Sequence, residues 1–388
     1  MNDDITYFAE TNFRNERQRF GIRQSDRLFH TYIIGKSGVG KSTLMKTKIV
    51  DDIRNNRGFA LLDVHSDLVN GIATIVKSHA PDRLLYLDFT NWDLPYRYNP
   101  LQDVPYQLRS KVVSLLLEVF QLLSGTMGWG VKLEHLLRYA LLALADMGNA
   151  TLADVPRLFT NKEYRKKCIT SIVDTEVREF WTHEFPQYSR YDVVPVLNKI
   201  GNFLAHPVIR NFVVYNKQDL DFRTLIDSRT CLLVNLSKGQ LGTDVARILG
   251  ALLLTALCHS GLSRSDQQES DRVPFFLYLD EFHNYTTMTV ATMLAELRKY
   301  KLGLIMANQY FKQLRPEIRD AVLGNVSTLI SFRVGYEDAV VLAKEMYPTF
   351  SYEDFVRLPN YHIYLKLMIK GKPSNAFSAS TSGFILHL

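Results

Sequence analysis

The stretch Gly35-Lys36-Ser37-Gly38-Val39-Gly40-Lys41-Ser42 constrains this chain more than any other. It follows an apolar run at 30–34 and precedes a helical pattern at 44–53. Every fixed position of G-x-x-x-x-G-K-[ST] is filled, and the spacing has a physical use. Glycines let successive backbone N–H groups curl round an anion, and the helix N-terminus adds partial positive charge. Lys41 is expected to reach the β- and γ-phosphates of a nucleotide, the Ser42 hydroxyl to ligate Mg2+, and Thr43 to complete the cradle. The pattern alone is loose; the strand before it and the helix after it give it weight.

Such a loop needs a sheet to carry it. Apolar runs at 59–64, 84–89, 230–236, 275–280, 303–308, 328–334 and 362–369 alternate with helical patterns. Continuous runs of that length predict an α/β fold: a mostly parallel sheet with helices on both faces. Residues 105–228 change character. Helical patterns at 106–123, 133–147, 152–159, 161–173 and 175–185, with a glycine-rich break at 125–130, predict an all-helical insertion. The expected organisation is a lead-in at 1–28, a nucleotide-binding domain at 29–104 and 229–388, and the insertion at 105–228. The lead-in carries Arg14, Arg17, Arg19, Arg23 and Arg27. It reads as a solvated segment beside the nucleotide, or as a contact with DNA or a neighbouring subunit. Residues 261–272 read as a mobile polar loop.

Composition narrows the setting. With 388 residues, 46% hydrophobic and 22% charged, the chain is an ordinary globular one. A net charge of +6 permits an anionic partner without requiring one. Cys168, Cys231 and Cys258 form no CxxC, and the ten histidines have no metal-ligand spacing. The acidic start, Met-Asn-Asp-Asp, is not a signal peptide. The longest apolar run, 248–258, is shorter than a membrane span of about 20 residues. A cytoplasmic location with no membrane segment of its own is expected.

Asp280 ends an apolar run, so it is expected at the carboxyl end of a strand, holding Mg2+ through water. Glu281 follows directly and is the candidate general base for an attacking water. Gln309 ends the next run, where an amide can sense the γ-phosphate or orient water. Asp63 to Asp67 end the second strand near the same crevice; Asp67 is a candidate for the water network, and His65 reads as structural. Arg298 and Arg333, with Arg315 and Arg319 behind them, are candidates for an arginine finger donated to a neighbouring subunit. Each also fits a surface arginine or an ion-pair partner. Residues 236–240, Leu-Ser-Lys-Gly-Gln, resemble the ABC signature but directly follow a strand, so they read as a loop at the sheet's carboxyl edge.

Taken together, these residues resemble the HerA/FtsK superfamily of ring ATPases, and within it the motor portion of TraG/TraD-type conjugative coupling proteins. The resemblance rests on Gly35–Thr43, residues 63–68, Asn99-Pro100-Leu101, residues 235–239, Asp280-Glu281-Phe282, residues 298–309 and Phe332-Arg333-Val334. It implies a RecA-like P-loop domain of the ASCE class, a hexameric ring, hydrolysis of ATP with Mg2+, and non-specific DNA threaded through a channel. Two departures stand out. The turn at 63–66 lacks the family's usual proline and glycine. Neither the membrane helices of coupling proteins nor the N-terminal barrel of HerA is visible, so a separate protein partner is expected in that place. The leading expectation is an ATP-driven DNA translocase. The alternative is an ATP-gated hexameric scaffold that assembles a partner effector, such as a nuclease in phage defence.

Overall fold

A run in which every residue is buried has to be covered on both sides, and six strands of this chain meet that condition. In the computed structural model, which describes residues 4–12, 17–91, 93–124, 128–215 and 218–381, they form the centre of an eleven-stranded sheet. The strands are β1 (Ile5–Thr11), β2 (Arg19–Arg23), β3 (Thr31–Ile34), β4 (Gly58–Asp63), β5 (Leu84–Asp88), β6 (Cys231–Asn235), β7 (Phe275–Leu279), β8 (Leu302–Asn308), β9 (Thr328–Ser331), β10 (His362–Lys366) and β11 (Phe377–Ser380). Their order is β2-β1-β11-β10-β9-β3-β8-β7-β4-β6-β5. From β9 to β5 every pairing is parallel. From β9 to β2 every pairing is antiparallel.

The chain divides into two units. The first comprises Met1–Thr90, Phe222–Leu241 and Leu257–Leu388 and holds the whole sheet. Helices Lys41–Arg54 and Asp67–His79 lay Leu44, Met45, Ile49, Val69, Ile72 and Val76 into one core with Phe59, Leu61, Leu233, Tyr278, Ile305 and Ile330. Alternation along the strands turns Tyr32, Leu62, Leu279 and Met306 to the opposite face, and these are also buried.

The second unit, Asn91–Asp221 and Gly242–Ala256, is helical. Helices Tyr106–Ser124, Val131–Ala145, Asp154–Thr160, Lys162–Ser171 and Arg190–Ala205 enclose Leu136, Leu137, Ala140 and Leu144. Tyr139 stacks on Phe180 with ring centroids 4.1 Å apart. Asn161 and Asp174 cap helix starts through their side chains, and Ser189 with Asp192 forms a capping box. Helix Arg190–Ala205 was hidden in the sequence by Pro195, which interrupts its pattern. Residues 125–127 of the glycine-rich break at 125–130, like Arg14, lie outside the described residues.

Two expectations need correction. The lead-in is not simply solvated: β1 and β2 extend the sheet, and Arg27 is buried. The Arg27 guanidinium donates to both carboxylate oxygens of Asp52, at 2.6 and 2.8 Å, and to the Tyr278 hydroxyl at 2.7 Å. Arg57 adds bonds to Asp4, Asp51 and Asp52, and Thr6 on β1 donates to Asp51. The two-oxygen pairing of Arg27 with Asp52 is what lets these charges be buried. The loop at 261–272 is likewise pinned. Arg264 and Arg272 are buried there and donate to the carbonyls of Tyr300, Val273, Lys299 and Gln267.

Among the described residues one helical stretch, Thr243–Asp266, is long and apolar enough to cross a membrane by composition, and 78% of its apolar window is buried in the protein. The 248–258 run lies inside this stretch.

Candidate functional site

Parallel strands end together, so residues distant in sequence share one edge of the sheet. β8 lies between β3 and β7. The phosphate loop after β3, Gln309 after β8, and Asp280-Glu281 after β7 therefore stand side by side, with Asp63 next along at the end of β4.

The loop is shaped by its glycines. Gly38 and Gly40 have φ of +75° and +120°, open to glycine but strained for other residues. A Cβ on Gly40 would lie 2.9 Å from the Tyr361 ring, and one on Gly35 would lie 2.6 Å from Phe332. Gly35 donates its N–H to Asn308 O at 3.2 Å, and Lys36 donates to Arg333 O at 2.9 Å, so the strands on either side hold the loop. Lys36, Ser37, Gly38 and Ser42 are exposed, Val39 is buried, and Thr43 is half-buried. Lys41 is buried at the head of helix Lys41–Arg54 and donates to the carbonyls of Gly35 and Lys36, at 2.7 and 2.9 Å. Burial lowers its pKa, while Glu281 and Asp280 oppose that shift.

The acidic side is crowded. Burial, Asp63 and Glu281 push the Asp280 carboxyl up to about 6, against the pull of Lys41 and His65. Glu281 is buried with a left-handed backbone, φ +51°. A non-glycine residue held there stores strain, a condition common at functional sites. Its carboxylate accepts from Gln309 Nε2 at 2.8 Å and from Gln313 Nε2 at 3.4 Å, and His283 Nδ1 lies 3.4 Å away. Gln313 also accepts from the backbone N–H of Gln309 and Tyr310, at 2.9 and 3.2 Å. Sequence reasoning missed Gln313 and His283. Neither ends a strand, and only the turn at 311–313 brings Gln313 back onto Glu281.

The remaining candidates are spread more widely. Asp63 accepts from the N–H groups of His65 and Val69, fixing the turn into helix Asp67–His79. His65 and Asp67 are exposed. Lys238 opens a helical turn at Lys238–Leu241, where a loop was expected; it donates to Asn284 Oδ1 at 2.5 Å, and Asn284 donates to Glu281 O at 2.8 Å. Arg333 stands beside the phosphate loop, its guanidinium donating to Leu358 O and Asn360 Oδ1. Arg298 is exposed just ahead of β8, at the opposite edge of the sheet, over the Phe29 ring at 3.4 Å. Arg315 is exposed, and Arg319 pairs with Asp320.

These groups fit a magnesium nucleotide. A Cβ on Gly38 would meet nothing within 4 Å, so the turn opens into free space. Asp63, Asp280 and Glu281 bring hard oxygen donors that suit a divalent cation. No set of three or more His, Cys, Asp or Glu among the described residues forms a metal cage by itself.

Residues 155–345 match the family described as type IV secretory system conjugative DNA transfer, a span that includes Asp280, Glu281 and Gln309. Among solved structures, the chain is similar to an unbound bacterial conjugative coupling protein, TrwBdeltaN70. That match has 12% identity and a TM-score of 0.67 over 96% of this chain and 89% of the other. The plasmid coupling protein TrwB in complex with ADP and Mg2+ matches at 12% identity and TM-score 0.68, over 98% and 95%. VirB4 of Thermoanaerobacter pseudethanolicus matches at 16% and 0.64, over 97% and 96%. No curated protein matches the chain. Identities this low speak to the shared RecA-like fold. With the family match, they bear out the resemblance carried by the motifs: this chain resembles the TraG/TraD-type conjugative coupling ATPases of the HerA/FtsK superfamily.

Proposed function

We propose that this chain is an ATP hydrolase that moves DNA as a homo-oligomeric ring, with a hexamer as the expected state and a cytoplasmic location. The observation that carries this reading is the Glu281–Gln309 pair, held one strand away from the glycine-rich loop. The family match to conjugative DNA transfer supports DNA as the substrate. TrwB complexes with ADPNP, with GDPNP, and with ADP and Mg2+ support a magnesium nucleotide as the ligand.

Bound ATP with Mg2+ supplies the phosphoryl group and the cation that polarises it. Residues Gly35 to Thr43 would bind the phosphates through backbone N–H groups, with Lys41 as the cation facing them. Ser42 and Asp280 would hold the ion. Glu281 takes the proton of an attacking water at its carboxylate, and Gln309 keeps that carboxylate aimed. Arg298, at the sheet edge opposite its own loop, is the proposed finger for a neighbouring subunit; Arg333 stays with its own loop. DNA contacts in such a ring go mainly to phosphates and carry little sequence preference.

The test is the ATPase rate without DNA, with single strands and with duplex, beside a mass measurement with and without nucleotide. Severalfold stimulation by DNA in a ring-sized assembly is expected. Turnover indifferent to DNA but raised by a protein partner would favour the scaffold reading instead.

A further inference from the structure

Tyr361 touches the phosphate loop, and nothing in the hydrolytic reading uses it. Its backbone N–H donates to Val39 O at 2.9 Å, and its ring lies 2.9 Å from where a Gly40 Cβ would stand. The residue is 41% exposed and has a left-handed backbone, φ +63°. That conformation is costly for a bulky side chain, so its neighbours must enforce it. They do: Tyr361 O accepts from Thr381 N at 2.7 Å and from Thr381 Oγ1 at 3.0 Å.

The acidic residues set the direction of a bound triphosphate. Glu281 and Gln309 follow β7 and β8, on one side of β3, so the γ-phosphate points that way. The nucleoside then leaves on the other side, toward β9 and β10. Tyr361 immediately precedes β10, and Phe332 and Arg333 follow β9. Arg333 donates to Leu358 O at 3.3 Å and Asn360 Oδ1 at 2.8 Å, and Thr381 occupies the Tyr361 carbonyl.

We propose that Tyr361 is the platform on which the nucleobase of the bound nucleotide stacks. The proposal rests on reading Gly35–Ser42 as a nucleotide site. A flat, partly exposed ring offers a π-face that any base can use. Stacking of this kind is worth roughly tenfold to a hundredfold in affinity.

The experiment measures binding of ATP, GTP and inorganic tripolyphosphate, each with Mg2+, to the full chain and to Tyr361→Leu, Tyr361→Trp and Lys41→Ala. Tyr361→Leu is expected to weaken ATP and GTP by roughly tenfold to a hundredfold and leave tripolyphosphate unchanged. Tyr361→Trp is expected to bind both nucleotides at least as tightly as the wild type. Equal ATP affinity in Tyr361→Leu overturns the proposal. So does a parallel loss of tripolyphosphate, which marks a damaged loop rather than a lost base contact. If the wild type binds none of the three probes, or Lys41→Ala binds ATP normally, the nucleotide-site reading itself fails.

Discussion

Gln309 Nε2 donates to Glu281 Oε1 at 2.8 Å, joining the turns that follow two neighbouring strands. This bond aims the carboxylate, so its two ends have different predicted phenotypes. Glu281→Gln keeps nucleotide binding and lowers kcat by about 100- to 10,000-fold, the usual weight of a general base. Gln309→Ala lowers kcat by about tenfold or more with little change in KM, because the base remains but loses its orientation. Steady-state kinetics with a parallel binding assay separates the two. Near-wild-type hydrolysis by Glu281→Gln would remove that residue from the base role.

Gln313 is a positioning residue, and its two ends can be tested apart. Its oxygen accepts from Gln309 N and Tyr310 N, while its nitrogen donates to Glu281. Gln313→Glu keeps the acceptor for the turn but sets a second carboxylate against Glu281. The expected result is a normal melting temperature with kcat reduced about tenfold or more. A variant that melts early and hydrolyses normally would assign Gln313 to the turn alone.

Lys48 gives a pH prediction. Its ammonium lies over the Phe8 ring at 4.2 Å, fully buried and with no hydrogen-bond partner among the described residues. Burial, with Arg27 nearby, lowers its pKa from 10.5 to about 7, against the opposing charges of Asp52 and Asp51. Between those values the unfolded chain holds a proton that the folded chain has released. Stability contributed by this group therefore rises with pH from about 7 to about 10.5, on the order of 1 kcal/mol per pH unit. Lys48→Met should flatten that slope and raise the melting temperature at neutral pH. Urea titrations at several pH values read both effects.

Asp52 behaves in the opposite sense. Burial would raise its pKa, but Arg27 and Arg57 outweigh that and hold it below the ordinary carboxylate value. Its contribution is present above the unfolded pKa and is lost as pH falls through the folded one. Asp52→Asn strands a buried guanidinium, with an expected cost of about 3–5 kcal/mol. The readout is earlier unfolding in urea.

Arg298 can be tested by mixing. Arg298→Ala subunits combined with Glu281→Gln subunits should regain partial ATPase activity wherever an intact finger meets an intact acid. Absence of rescue at every ratio, in rings shown to mix, would count against Arg298.

The parts of this site that are local in sequence were legible beforehand. Gly35 to Ser42 announces itself because the turn, the helix start and the lysine are all within one short stretch. Asp280 and Glu281 were legible through the apolar run that ends on them. Pairing Glu281 with Gln309 needed the strand order. Gln313 was out of reach, because a 3-10 turn folds it back without any periodic signal. Arg27 was misread for a different reason: charge ordinarily marks the surface, and only Asp52, remote in sequence, makes its burial tolerable. Strands β1 and β2 mix polar and apolar residues because they lie at the outer end of the antiparallel part of the sheet.

The position of β3 also bears on how the protein is made. Its sheet partners are β8 and β9, residues 302–308 and 328–331. During synthesis the strand that presents the phosphate loop leaves the ribosome well ahead of both partners and waits, apolar and unpaired, until they follow. Pairings this distant in sequence form slowly and expose strand edges to other chains in the meantime. The nascent protein therefore passes through a long interval in which Tyr32, Ile33 and Ile34 need shielding. Chaperone depletion should lower soluble yield more than the melting temperature of the finished protein would lead one to expect.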